Sequence, residues 1–98
     1  MEVVFNDHDL DTLETDSSYT KGYSEGIVKA YRKRLQGIRS AVDERDIYAM
    51  KSWHFEKLKG QRQHQHSIKL NDQFRLVLEI EESNREKRIR IMGIEDYH

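Results

Sequence analysis

The hydrophobic repeat of this chain changes once, from helical to alternating, and that switch restricts the fold more than any other feature. Ile27, Tyr31, Leu35, Ile38 and Val42 recur at steps of three and four, with Lys29, Arg32, Lys33 and Arg39 falling largely between them. A stripe of this kind occupies one face of an α-helix. Beyond Gly60 the step becomes two. Residues 66–70 alternate, Asn71-Asp72 offers a turn, and residues 74–80 put Phe74, Leu76, Leu78 and Ile80 on one side. After a polar turn at 82–86, Ile89, Ile91 and Gly93 alternate with Arg88, Arg90 and Met92. Such alternation marks strands with one buried face.

Upstream, the β-branched and aromatic run at residues 2–5 predicts an edge strand, and Leu10 and Leu13 line one side of a helical turn broken at Ser17, Ser18 and Gly22. Residues 47–53 read as a further short helical piece. The expectation is an α+β fold, with an N-terminal strand and helices packed on an antiparallel sheet and covering one of its faces. With 98 residues, no proline, five scattered glycines and no repeat, the chain reads as one domain, residues 1–98.

Charge is distributed more tellingly than its total of -1 suggests. Residues 21–39 hold six basic side chains against one acid, and residues 51–75 hold six against two, with His54, His64 and His66 interspersed. Two basic blocks could form a face that meets phosphate; equally, they could solvate a helix and a sheet. The absence of cysteine removes the usual staple of a small secreted domain and fits a reducing cytoplasm. Acidic residues stand where a signal peptide needs a basic start, and no segment approaches membrane-spanning length, so a cytoplasmic location is expected.

Two groups of residues carry possible chemistry. The first is the terminal Asp96-Tyr97-His98, an acid, a phenol and an imidazole in succession. Imidazole moves protons near neutral pH, and a neighbouring carboxylate can orient it; otherwise Tyr97 packs on the sheet and His98 is solvated. The second group spans residues 58–62 and 67–75. Here Lys59, Arg62, Lys69 and Arg75 can converge from adjacent strands on a phosphodiester, or pair with surface acids. His64 and His66 straddle Gln65 and would share a strand face, but no third metal ligand is evident, and no metal or cofactor is expected. Trp53 reads as core before it reads as a base-stacking platform.

Together, Leu58-Lys59-Gly60-x-Arg62, Ser67-Ile68-x-x-Asn71-x-Gln73-Phe74-Arg75 and Asp96-Tyr97-His98 resemble the HigB branch of the RelE/ParE toxin superfamily, the plasmid-maintenance killer proteins. Tyr19-Thr20-Lys21-Gly22-Tyr23, ahead of a basic helix, is similar to the loop found there. The resemblance implies a ribosome-dependent endoribonuclease, cutting messenger RNA by attack of its own 2′-hydroxyl without a metal. It also implies a HigA-like helix-turn-helix antitoxin as partner. It assigns catalysis to Arg75, Asp96, Tyr97 and His98, with His54 a further candidate, and RNA or phosphate binding to Lys57, Lys59, Arg62 and Lys69. Many members carry a histidine two residues before Leu-Lys-Gly; that position is Glu56 here, and Glu56, Lys57 or His54 could substitute, or His98 could act alone. Two other functions suit the same fold: a ParE-like inhibitor of DNA gyrase, or a catalytically silent partner of a repressor.

Overall fold

The computed structural model describes residues 1–97; His98 lies outside the described residues. Strand β1 (Glu2–Phe5) leads to helix α1 (His8–Thr15), followed by α2 (Glu25–Ser40) and α3 (Glu44–Ala49). Each helix begins on a side chain that accepts a hydrogen bond from an otherwise free first-turn amide. Asp7 takes Leu10 N–H at 3.1 Å, Ser24 takes Ile27 N–H at 3.3 Å, and Asp43 takes Arg45 N–H at 2.9 Å. A 3-10 turn (Lys51–Trp53) then leads into β2 (Glu56–Lys57), a second 3-10 turn (Gly60–Arg62), β3 (His66–Lys69), β4 (Phe74–Ser83) and β5 (Glu86–Asp96).

The strands form one sheet in the order β1-β5-β4-β3-β2. Residues 56–96 make the expected antiparallel meander, but β1 joins β5 in parallel, Glu2 opposite Arg88 and Phe5 opposite Ile91, so the sheet is mixed rather than wholly antiparallel. The parallel pairing follows from chain order: three helices intervene between β1 and the meander and return the chain along one face. Val3, Ile89, Ile91, Leu76, Leu78 and Ile68 meet Leu10, Leu13, Ile27, Tyr31, Leu35 and Ile38 of the helices in a continuous core. Inside it the Tyr31 hydroxyl donates to the Leu10 carbonyl at 2.7 Å, satisfying both groups, and burial drives the phenol's pKa well upward.

Two alternation readings need correction. Val42 does not continue the α2 stripe and is 85% exposed. The helix stops at Ser40, and Val42 N–H turns to the Asp46 carboxylate at 2.8 Å, which directs the chain into α3. In β5 the register shifts opposite Val77 and Leu78, so Leu78 faces Ile91 while Leu76 faces Ile94. That bulge absorbs Met92 and returns Ile94, instead of Gly93, to the core side. The β4–β5 connection is tighter than residues 82–86 suggested: only Asn84 (φ 52°) and Arg85 (φ 69°) turn, both left-handed, as a two-residue hairpin matched to strand twist requires.

Trp53 is buried, with its indole against Gly37 of α2 and the Arg34 guanidinium 5.4 Å from the ring centroid. Arg34 also donates to the Lys69 carbonyl at 3.1 Å, and burial lowers its pKa. Arg32 donates to the carbonyls of Leu13, Asp16 and Tyr19, closing the end of α1, and Arg39 forms a bidentate pair with Glu14. Much of the first basic block therefore ties α1, α2 and the sheet together. No helix among the described residues is long and apolar enough to cross a membrane.

Candidate functional site

The sheet face away from the helices carries a polar cluster centred on Arg75. Alternation from Leu76 and Leu78 in the core sends Arg75, Val77 and Glu79 to this opposite side, where Ser67 and Lys69 of β3, Glu56 of β2 and Glu95 of β5 are their cross-strand neighbours. Ser67 and Val77 are buried on this face, and the Arg75 side chain lies over them with 12% of its surface exposed. Arg75 is therefore not a solvated sheet arginine. Its Nη1 donates to Ser67 Oγ at 2.9 Å and lies 3.7 Å from Glu56 Oε2; its Nη2 donates to the Tyr97 hydroxyl. The guanidinium carbon sits 3.4 Å from the Tyr97 ring centroid, stacked on its face. The Nε group is buried without a partner among the described residues.

The sequence motif around this arginine has a mechanical role. Asn71 Oδ1 accepts from the backbone amides of Gln73 at 2.8 Å and Phe74 at 2.7 Å, an Asx turn that starts β4 at a fixed residue and so fixes the face taken by Arg75. The Gln73 carbonyl then accepts from Tyr97 N–H at 2.8 Å, holding Tyr97 beside the same strand. Asp96 pairs with Phe74 and takes the other side of β5; its carboxylate receives Gln73 Nε2 at 3.2 Å. The acids beside Arg75 on its own face are Glu56 and Glu95.

Arg62 reaches this face from the second 3-10 turn. Its Nη1 and Nη2 donate to Glu95 at 2.9 and 2.6 Å, its Nε donates to Gln65 Oε1 at 2.9 Å, and the Glu95 bond raises its pKa further. Gln65 in turn donates to Glu79 at 3.0 Å, and His64 Nε2 lies 3.7 Å from the same carboxylate. Lys69 stands directly across from Arg75 and pairs with Asp72 at 3.1 Å.

The remaining candidates lie apart. His54 closes the first 3-10 turn in a left-handed conformation (φ 48°, ψ 51°), exposed, and no hydrogen bond or ion pair joins it to Arg75 among the described residues. Lys57 alternates away from Glu56 and pairs in register with His66 on the helix side; Lys59 is exposed ahead of the second 3-10 turn. His64 and His66 do not share a face: His64 precedes the strand and turns to Glu79, whereas His66 stacks on Phe55 at 4.8 Å. Burial, and then Lys57, lower the His66 pKa. Sequence reasoning missed Ser67, Gln65, Glu79 and Glu95 as members of the cluster. The parity of β3 and β4 around Ile68 and Leu76 was the signal that could have placed the first three. The Met92 bulge hid the fourth.

A groove of about 800 Å³ between α1 and α2 shares no residue with this cluster. The architecture is that of a small toxin fold: a YoeB/ParE toxin from Agrobacterium tumefaciens superposes with a TM-score of 0.59 at 17% identity, each chain covered in full. Residues 3–90 match the family of HigB-like toxins, RelE-like toxins of type II toxin–antitoxin systems. The chain belongs to that family; Tyr97 and its neighbours lie beyond the matched segment. None of the curated proteins compared with it matches the sequence.

Proposed function

We propose that this toxin is an endoribonuclease that cuts messenger RNA on the ribosome, with the Arg75 cluster as its catalytic face. One observation supports this most: a guanidinium, a phenol, a carboxylate and a buried hydroxyl converge within hydrogen-bonding or ion-pair distance on an open sheet face. In the proposed reaction the 2′-oxygen bonds to the adjacent phosphorus while the bond to the 5′-oxygen breaks, giving a 2′,3′-cyclic phosphate and a 5′-hydroxyl. Glu56 takes the 2′-hydroxyl proton. Its proximity to Arg75 favours it over His54 and Lys57 for the position where many relatives carry histidine. Arg75 stabilises the charge on the phosphorane, so the cation requirement is met without a metal. Tyr97 stacks on a base or hydrogen-bonds a phosphate oxygen. Asp96 acts through Gln73, whose carbonyl holds Tyr97. His98, which follows Tyr97 in sequence, returns a proton to the leaving 5′-oxygen. The partners are a HigA-like helix-turn-helix antitoxin and the ribosome with its mRNA, in the cytoplasm.

The test is inhibition of translation in a ribosome-containing extract by wild type, Arg75→Lys and Glu56→Gln, with cleavage products mapped on the mRNA. Either substitution is expected to lower cleavage by about a hundredfold or more, the usual cost of losing one transition-state contact. Full activity of both variants would remove this face from the mechanism. DNA damage in place of stalled translation on expression in cells would identify a gyrase inhibitor.

A further inference from the structure

Lys69, Arg75 and Glu95 face one another across β3, β4 and β5, and Arg62 sits on Glu95, so three cations gather on this face in a row of neighbouring positions. Each already holds a carboxylate: Lys69 has Asp72, Arg75 has Glu56, and Arg62 has Glu95. The Arg62–Glu95 pair is the most complete, a two-pronged contact of the kind guanidinium makes with phosphate. Gln65 occupies the remaining Nε–H and is itself held by Glu79, so the fork is aimed beside Arg75 before any ligand arrives.

The family resemblance already assigns phosphate binding to Arg62; we propose that Glu95 is the exchangeable internal ligand of that subsite, displaced when a backbone phosphate of the RNA takes the same fork. The proposal rests on the ribonuclease reading for the identity of the polymer. The exchange itself is a binding property and needs neither catalysis nor a ribosome. Half-exposed side chains on both partners, 46% each, leave the pair open to competition by an incoming anion. It also reconciles a cationic track with a pI near 6.5: the row is neutralised locally, so the resting face attracts polyanions weakly. Binding to wild type would release Glu95 as well as counterions, which blunts the salt dependence that a free arginine would show.

The experiment is a cycle of wild type, Arg62→Ala, Glu95→Gln and the double variant, binding a short uncleavable 2′-O-methyl single-stranded RNA, followed by fluorescence anisotropy from about 50 to 300 mM salt. Glu95→Gln should tighten binding by roughly three- to tenfold at low salt and steepen the salt slope by about 0.7, one phosphate contact on a single strand. Both changes should vanish in the Arg62→Ala background. An equal gain with and without Arg62 would reveal only a general field effect of the lost negative charge, and would overturn the proposal. So would unchanged or weaker binding by Glu95→Gln, or no measurable binding by it at low salt. Arginine Nε–H resonances titrated with inorganic phosphate supply a second readout, with Arg62 shifting at lower phosphate in Glu95→Gln than in wild type. If the cycle holds while wild type cuts no mRNA in the extract, the subsite stands and the ribonuclease reading falls. If wild type cuts and the cycle fails, the reverse follows.

Discussion

Replacing Gly37 with alanine is expected to destabilise the protein, although helix propensity alone argues the opposite. In the interior of α2 alanine should be favoured over glycine by about 1 kcal/mol. A Cβ at this position, however, would lie 2.7 Å from Trp53 Cζ2 and closer still to Cη2. Carbon contacts settle near 3.5–4.0 Å, so the indole would have to retreat by about 1 Å. The ring is rigid and 5% exposed, and Arg34 packs across it. Overpacking of this kind costs roughly 1–3 kcal/mol, and full expulsion of the ring would approach the ~3–5 kcal/mol of a Trp→Ala change. A clash this deep falls in the upper half of the overpacking range, about 2–3 kcal/mol, so after the propensity gain the net loss is about 1–2 kcal/mol, a fall in Tm of roughly 5–15 °C for a domain this small. Because the protein has a single tryptophan, its fluorescence during thermal and urea unfolding reports both the stability and the local environment of the displaced ring. In a Trp53→Leu background the obstacle is gone, and Gly37→Ala should become stabilising by about 1 kcal/mol. An equal or higher Tm for Gly37→Ala in the wild-type background would refute the argument.

Two other outcomes follow from particular contacts. Asn71→Ala removes the acceptor of two backbone amides and should cost about 1–2 kcal/mol, with a larger fractional loss of the proposed RNA cleavage than of stability because Arg75 and Tyr97 both lose their placement; Tm and cleavage measured on the same preparation check it. His66 has a folded-state pKa below its ordinary 6.5, so folding favours its neutral form, and stability should decline as pH falls below about 6.5. Urea melts between about pH 5.5 and 7.5, above the carboxylate range, should show that slope in wild type and a flatter one in His66→Gln.

How much of this was legible depended on whether the determining interaction was local. The α2 stripe from Ile27 to Ile38 and the β3 and β4 alternation are local patterns with one buried face, and they suffice to place Arg75 on a strand of the sheet. The parallel docking of β1 on β5 has no local signature, since it depends on which way three helices return the chain. The bulge at Met92 is likewise invisible in composition, yet it decides that Glu95 joins Arg75 while Asp96 turns to Gln73. Asn71 and Gln73 were legible as a motif but not as a mechanism. Their work is backbone hydrogen bonding, which a residue pattern does not display. Of the cationic candidates, Arg62 and Lys69 were found beside Arg75; Lys57 was separated from it by the parity of a two-residue strand.

The pairing of β1 with β5 also has a consequence in time. Glu2 through Phe5 are synthesised well before their partners, Arg88 through Ile91, so β1 has no strand to pair with until β5 has left the ribosome. The same late strand carries Glu95 and leads into Tyr97. The helices can form early from local contacts, whereas β1 must wait for a long loop to close, the slow kind of contact in folding. A nascent or truncated chain ending before β5 would thus hold the helical layer without the Glu95 and Tyr97 side of the Arg75 cluster. Assembly of the cluster would be delayed until β5 has emerged, an interval in which a partner already present can reach the helical layer.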